Sequence, residues 1–422
     1  MDKMSAREWK RLEAVERIGR GELTVRRGGE LLGLSVRQMR RVCRAVEARG
    51  RAGVVHGNGG RRARNRVAQS KRARIVKLRR GKYAGFNDQH FTEKLAEAEG
   101  LVVSRATVRR VLREAGIEAA RKRRPPRHRR RRERKAQEGQ MIIWDGSSHR
   151  WLEERGPQLC LQGAIDDASG KLLAGAHFEA QECAAGYLRV LAAIVRTHGV
   201  PWSAYMDRHS SLKRNDDYWS LEEELKGAQE PTQVGRALRA LAVEVIYALS
   251  PQAKGRVERL WGTLQDRLVS ELRLAGARTV AEANAVLERF REDFNRRFAV
   301  AASVAQPAWR GLKRGVDLER ECSFYYPASV LNDNTVRIGG EVIDIPPGPR
   351  NRGYAHAQVE VRQLLDGSWR VYYQGRVIAT AAARQQPVPL RALKRNRRKP
   401  SAAHFALADA RSTAALSLEH TL

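Results

Sequence analysis

Residues 141–145, Met-Ile-Ile-Trp-Asp, form a short apolar run that ends in an acid, and residues 203–207, Ser-Ala-Tyr-Met-Asp, repeat the pattern. Runs of this length and composition read as strands. Between them, residues 158–165 read as a second strand, Asp166-Asp167-Ala168-Ser169-Gly170 as a turn and residues 171–178 as a third strand, an antiparallel meander. Residues 187–198 and 232–242 read as helices, and residues 243–249 as another strand. A helix then opens at Ser250, which can cap its first turn, with Pro251 suited to the first helical position. Val257, Leu260, Trp261, Leu264 and Leu268 recur at helical spacing and give it one core-seeking face. Glu258 sits at the edge of that face, one turn after Lys254.

Three strands, helix, strand, helix, strand, helix is the element order of the ribonuclease-H-like α/β fold. In it, Asp145, Asp207 and Glu258 would converge on one spot. Three converging carboxylates repel one another unless cations hold them. A cluster of oxygen ligands without His or Cys suits Mg²⁺. Two such ions about 3.5–4 Å apart clamp the attacking and leaving oxygens of a phosphoryl displacement. Asp145 would bridge both ions, with Asp207 and Glu258 holding one each. Asp166 and Asp167 are read as turn residues. Asp216 and Asp217 fall in a stretch read as an insertion. His209 is either a phosphate or proton-transfer group or a structural hydrogen-bonding one. No nucleophile elbow supports a Ser-His-Asp hydrolase.

The rest of the chain is dominated by charge. It carries 80 Lys+Arg against 47 Asp+Glu, a formal net charge of +33 over 422 residues. That excess implies a polyanionic partner, and there is no apolar span or amphipathic anchor to favour a membrane. Cys43, Cys160, Cys183 and Cys322 form no CxxC pair, so a reducing, cytoplasmic setting is expected, without structural zinc or disulfides.

Residues 1–22 read as a charged helix and 23–50 as helix-turn-helix, with Ser35 and Gln38 forming a capping box. The second helix turns Val36, Met39, Val42, Cys43 and Val46 inward and carries Arg37, Arg40, Arg41 and Arg44 toward a major groove. Gly28 and Gly29 fall in the first helix and are expected to shorten it. A Gly- and Arg-rich connector (50–66) leads to a second helical unit, whose last helix is capped by Ser104 and carries Arg105, Arg109, Arg110 and Arg113. Tyr83, Phe86 and Phe91 read as core. The basic run in 121–138 reads as a phosphate-seeking linker.

The expected organisation is therefore multidomain. N-terminal all-α helix-turn-helix units occupy 1–66 and 67–120, and the basic linker 121–138. A central α/β ribonuclease-H-like core spans 139–300, followed by a connector, 301–322. A small β-barrel is expected over 323–381, signalled by two-residue hairpin turns at Gly339-Gly340, Asp366-Gly367 and Gln374-Gly375, and a disordered tail over 382–422.

Four blocks now carry a family resemblance: 144–153 (WDGSSHRWLE), 206–210 (MDRHS), 250–265 (SPQAKGRVERLWGTLQ) and 293–298 (DFNRRF). Together they resemble the DDE transposases of bacterial insertion sequences, of the ISNCY type, over about residues 20–380. The resemblance implies an integrase core dependent on Mg²⁺ or Mn²⁺, with Asp145, Asp207 and Glu258 as the metal-binding acids. It further implies binding to terminal inverted repeats on double-stranded DNA, end cleavage, strand transfer and a homo-oligomer on DNA, in a cytoplasmic, nucleoid-associated protein. Lys254 and Arg256, beside Glu258, are candidates to grip the phosphate next to the cut, with an ion pair to Glu258 as the alternative for Lys254. Two departures stand out. Asp207 and Glu258 lie 51 positions apart, wider than in retroviral-type integrases, which residues 213–230 explain as an insertion, and Met206 replaces an expected small residue. The competing readings are a metal-dependent nuclease or integrase without strand transfer, and a DNA-binding regulator on an inactive core.

Binding to duplex DNA is expected to weaken steeply with salt, each neutralised phosphate adding about −0.9 to the slope of log K against log salt. Fluorescence anisotropy over a KCl series measures that slope.

Overall fold

The computed structural model describes residues 4–55, 67–120, 132–214, 219–248 and 255–383. The chain divides into two compact units, Met1–Arg74 and Ile75–Leu422.

The first unit holds helices α1 (Ala6–Gly19), α2 (Val25–Leu32) and α3 (Val36–Arg49). Ser35 and Gln38 form the capping box at the start of α3, and Thr24 caps α2. Gly28 and Gly29 lie inside α2 because bulk is excluded there. A Cβ at Gly29 would stand 2.7 Å from the Leu34 carbonyl oxygen, and one at Gly28 would stand 2.8 Å from Ile18. Met39 is fully buried, but Val36, expected inward, is exposed, since the first turn of α3 projects past the small core. The connector beyond residue 55 lies outside the described residues.

The second unit begins with α4 (Gln69–Arg80), which crosses the boundary between units, then α5 (Asp88–Glu97) and α6 (Arg105–Glu114). Tyr83, Phe86, Phe91, Val108, Val111 and Leu112 form their core, and Ser104 caps α6.

The central sheet contains β1 (Met141–His149), β2 (Leu159–Asp166), β3 (His177–Glu179), β4 (Ser203–Met206) and β5 (Glu244–Tyr247), in the order β3-β2-β1-β4-β5. The pairs β1–β2 and β2–β3 are antiparallel, while β1–β4 and β4–β5 are parallel. Helices α7 (Ala184–Thr197), α8 (Leu221–Lys226), α9 (Gln233–Ala240), α10 (Gly255–Leu274) and α11 (Val280–Phe298) complete the layers. Alternation along β1 divides the core. Met141 and Ile143 pack with α10 and α11, whereas Ile142 and Trp144 pack with α7 and α9. The stretch read as an insertion contains α8, and its residues 215–218 lie outside the described residues.

The third strand is shorter than expected. Of residues 171–178, only the last two are in β3, and Leu172 makes a single bridge to Ile165. Gly170 and Gly175 take positive φ of 70° and 79°, which breaks extension. Asn295 on α11 satisfies both backbone groups of Leu172, at 2.8 and 2.9 Å, where a neighbouring strand would otherwise be needed. Asn284, on the same helix, does the same for Phe178 and covers the sheet edge.

After the short helix α12 (Leu318–Glu321), the strands β6 (Phe324–Ser329), β9 (Gln358–Gln363), β10 (Trp369–Tyr373) and β11 (Arg376–Ala381) make a four-stranded antiparallel sheet. A separate hairpin, β7 (Thr335–Ile338) with β8 (Glu341–Asp344), shares its core through Val336 and Ile343. Among the described strands the ladders form two sheets rather than one closed barrel. The tail lies outside the described residues from position 384.

Helix α5 is tied to α10 by charge, and α6 to α5 through Arg113 and Asp88. Arg267 meets Glu93 at 2.6 Å, and Glu271 meets Lys94 at 2.7 Å and His90 at 2.6 Å. Burial alone would raise both carboxyls, but these partners hold Glu93 and Glu271 below the usual carboxylate range. Their contribution is therefore present above the unfolded value and lost as pH falls through the lowered one. Below about pH 4, amides of α5 and α6 are expected to lose protection before those of β1 and β2, which hydrogen exchange by mass spectrometry will resolve.

Candidate active site

Asp145 and Asp207 come together through strand register just past the parallel β1–β4 ladder, although β1 does not stop at Asp145 as expected but runs on to His149, paired with β2. Ile143 pairs with Tyr205 in the parallel β1–β4 ladder, so two residues further on the acids reach adjacent positions. Both continue the face of Met141, Ile143 and Tyr205, which is the α10 side. The Trp261 indole N–H donates to Asp145 Oδ2 at 2.9 Å, and the His209 amide donates to Asp207 Oδ1 at 2.9 Å. Trp261 is itself buried, so one side chain both fills the core and orients the acid. Opposite Asp145 in β2 stands Gly163. An added Cβ there would press on Ala176 at 3.1 Å and touch Trp261 at 3.6 Å.

Glu258 is exposed in the first turn of α10, three residues before Trp261 and so neighbouring it along the helix. The expected convergence of the three acids is not complete. Among the described residues no group of three or more His, Cys, Asp or Glu side chains stands close enough to hold a metal ion. The donors Asp145, Asp207 and Glu258 are all hard oxygen ligands, and two share one face of adjacent parallel strands, which is the chemistry a divalent cation of the Mg²⁺ type requires.

A third carboxylate at this end of the sheet carried no signal in the sequence reading. Glu182, just ahead of α7, accepts the Tyr187 hydroxyl at 2.6 Å and lies 3.4 Å from His209 Nδ1. Burial, then the charge of Glu182, pushes the Tyr187 phenol up, and Asp145 and Asp207 add to the effect. The available clue was Gly146, since a Cβ there would stand 2.7 Å from the Glu182 carboxyl.

The cationic candidates separate into groups. Arg37, Arg40, Arg41 and Arg44 are exposed on α3, and Arg105, Arg109 and Arg110 are exposed on α6. Arg105, Arg109 and Arg113 line an open cleft of 610 Å³ that Asp266 and Arg267 of α10 complete. Arg256 is instead half-buried against Asp167. Lys254, with Ser250 and Pro251, lies outside the described residues. Asp166 and Asp167 are fully buried with structural partners. Asp166 accepts the Gly139 and Ser169 amides at 2.9 and 2.8 Å.

No family model matches the sequence. The chain is 36% identical over 378 residues to the putative transposase y4bF of Sinorhizobium fredii (strain NBRC 101917 / NGR234), covering 88% of this chain and 80% of that one. The chain belongs to the transposases of bacterial insertion sequences. A second transposase, that of insertion sequence IS1202 of Streptococcus pneumoniae, is 32% identical over 337 residues, covering 69% of this chain and 68% of its own. Among solved structures, the cryo-EM structure of the simian T-cell lymphotropic virus intasome in complex with PP2A regulatory subunit B56 gamma aligns at 14% identity. It covers 74% of this chain and 100% of that one with a TM-score of 0.30, too low to carry an argument. Among the described residues of this transposase, no helix is long and apolar enough to cross a membrane.

Replacing Trp261 by Phe keeps an aromatic ring in the core and removes the donor to Asp145. Losing a hydrogen bond to a charged group costs about 1.5–3 kcal/mol, whereas Trp261→Ala costs about 3–5 kcal/mol. Urea unfolding of the two variants, followed by circular dichroism, is expected to rank them in that order.

Proposed function

We propose that this chain is a DDE-type transposase built on a ribonuclease-H-like integrase core, which binds the ends of its element, cleaves them and joins them to target DNA. The observation that carries the reading is the placement of Asp145 and Asp207 on one face just past the parallel β1–β4 ladder, with Glu258 on the helix whose Trp261 grips Asp145. The strand order, with three antiparallel strands followed by two parallel ones, supports the core assignment.

Asp145, Asp207 and Glu258 are the residues that would hold the divalent ions, Mg²⁺ with Mn²⁺ as substitute. Bound there, the ions would polarise the scissile phosphoryl oxygen and lower the pKa of the attacking water. The protein's own groups orient the acids. Trp261 fixes Asp145 and the His209 amide fixes Asp207, while Glu182 holds the Tyr187 hydroxyl. Hydrolysis breaks one P–O bond at the element end and frees a 3′-OH. That hydroxyl then attacks a target phosphodiester and releases a new 3′-OH, so joining needs no external energy source.

The exposed arginines of α3 and α6 serve as the phosphate- and groove-facing surfaces for the terminal inverted repeats. Lys254 is assigned to the phosphate beside the cut. The two C-terminal sheets, with their shared core, are read as a module that contacts DNA or a second subunit. Because two ends must be processed together, the active form is a homo-oligomer on DNA.

The test is an end-cleavage and joining assay with labelled DNA carrying the element's end and a target plasmid, run in Mg²⁺, Mn²⁺ or EDTA. Metal-dependent nicking at the end and joined product are expected, both reduced at least a thousandfold, on the order of 4 kcal/mol in barrier, in Asp145→Asn. Nicking without joining would assign a nuclease, and binding with neither activity a DNA-binding regulator.

A further inference from the structure

Asp167 is fully buried, beyond the end of β2, and three donors converge on it. Arg132 reaches Oδ1 at 2.5 Å, the Lys135 amide reaches Oδ2 at 2.8 Å, and Arg256 also binds Oδ1. The backbone is held as well. The Asp167 amide donates to the Met141 carbonyl at 3.0 Å, and Arg134 donates to the carbonyls of Asp167 and Ala168 at 3.1 and 3.2 Å. Arg256 closes the arrangement by donating to the Arg132 carbonyl. Burial alone would raise this carboxyl, but Arg132, the Lys135 amide and Arg256 keep it low, so it stays charged. Two guanidinium groups and a backbone amide offset the desolvation that makes a lone buried charge costly.

The partners connect two parts of the chain. Arg132 and Lys135 belong to the segment arriving from the basic linker. Arg256 lies in the first turn of α10, two residues before Glu258. A helix's first turn has no preceding turn to hold it and leaves its amides without intrahelical partners. A side chain anchored there sets the rotation and height of the helix start, and Glu258 moves with it.

We infer that Asp167, acting through Arg256, is the positioning residue for Glu258, and that the same carboxylate couples the docking of the basic linker to the catalytic helix. The inference rests on reading Glu258 as a catalytic acid. It moves Arg256 from the phosphate-gripping role that its sequence neighbourhood suggested to a structural link between linker and active site. It also gives Arg132, 43% exposed at the edge of this arrangement, a place where linker engagement can be felt at Glu258.

The test uses the full chain with end-bearing DNA and Mg²⁺, comparing wild type, Arg256→Ala, Arg256→Lys, Asp167→Asn and the Asp167→Asn/Arg256→Ala pair, each checked for a native unfolding transition. Misplacing a catalytic group by about 1 Å can cost on the order of 100-fold. The cleavage rate at saturating DNA is therefore expected to fall at least about tenfold in each alanine or asparagine variant, while the half-saturating DNA concentration stays within about twofold. The double variant is no slower than the worse single one, since both act through one contact, and Arg256→Lys recovers part of the rate. Hydrogen exchange at residues 255–260 is faster in Asp167→Asn than in wild type. A raised half-saturating concentration at unchanged rate would make Arg256 a DNA contact and overturn the inference, as would additive losses or wild-type exchange in folded Asp167→Asn. Should Asp167→Asn not fold, Arg132→Ala decides by the same two readouts: slower cleavage at saturation with faster exchange at 255–260 supports the link, and wild-type values overturn it. If wild type itself cleaves nothing, the catalytic reading fails, and the exchange comparison still judges the link on its own.

Discussion

The central sheet is covered on both faces, and that constraint decides where charge can stand. Along β1, Met141 and Ile143 enter one hydrophobic layer while Ile142 and Trp144 enter the other, all nearly inaccessible to solvent. Within such a strand a carboxylate has no water and few donors, so an acid fits only where the strand leaves the layers. Asp145 stands where Trp144 ends the apolar run, and Asp207 directly follows β4. Parallel pairing of β1 with β4 brings those two positions together without further design. The site is thus a consequence of sheet topology before it is one of side-chain chemistry.

Two acids break the rule and show its terms. Asp166 and Asp167 are both fully buried, yet their carboxyls are shifted in opposite directions. Asp166 has amide and hydroxyl donors, with no ion pair among the described residues, and burial leaves its carboxyl raised. Asp167 has two guanidinium groups as well as an amide, and its carboxyl is lowered. Neighbouring positions in one connection therefore take opposite solutions. The neutralising cations of Asp167 come from residues 132 and 256, far away in sequence, which is why a turn reading from local spacing identified neither partner.

Local signals survived folding well where the physics was local. Ser35 with Gln38 and Ser104 cap the helices they announced, and the periodic face Val257, Leu260, Trp261, Leu264 and Leu268 is buried. The Gly339-Gly340, Asp366-Gly367 and Gln374-Gly375 turns all join antiparallel strands. What was illegible depended on partners distant in sequence. The stretch 171–178 has strand-like composition, but Asn295 supplies the hydrogen bonds a neighbouring strand would have given. Glu182 lies in an unremarkable loop and acquires meaning only beside Gly146, Tyr187 and His209. Asp145 and Asp207 were legible because each ends its own apolar run, although β1 itself continues past Asp145 to His149. The position of Glu258 relative to them depends on how α10 begins, which no local pattern encodes.

The excess of cations also needs dividing. A net charge of +33 invites the assumption that every arginine seeks phosphate. Arg37, Arg40, Arg41 and Arg44 on α3, exposed along one helix, fit that use. Arg256, Arg267 and Arg132 do not. Arg267 is 8% exposed against Glu93, Arg256 is 16% exposed against Asp167, and both fasten α10 to other parts of its unit. Arginine suits both tasks because its planar fork stays charged when buried and binds carboxylates in two directions. In this chain the same residue type that stands exposed along α3 also pairs with carboxylates inside, holding the helix of Glu258 between Asp167 at one end and α5 further along. A mutation that neutralises a buried arginine would then reduce activity through geometry, and one that neutralises a surface arginine would reduce it through DNA occupancy. The two can be told apart because only the second responds to salt.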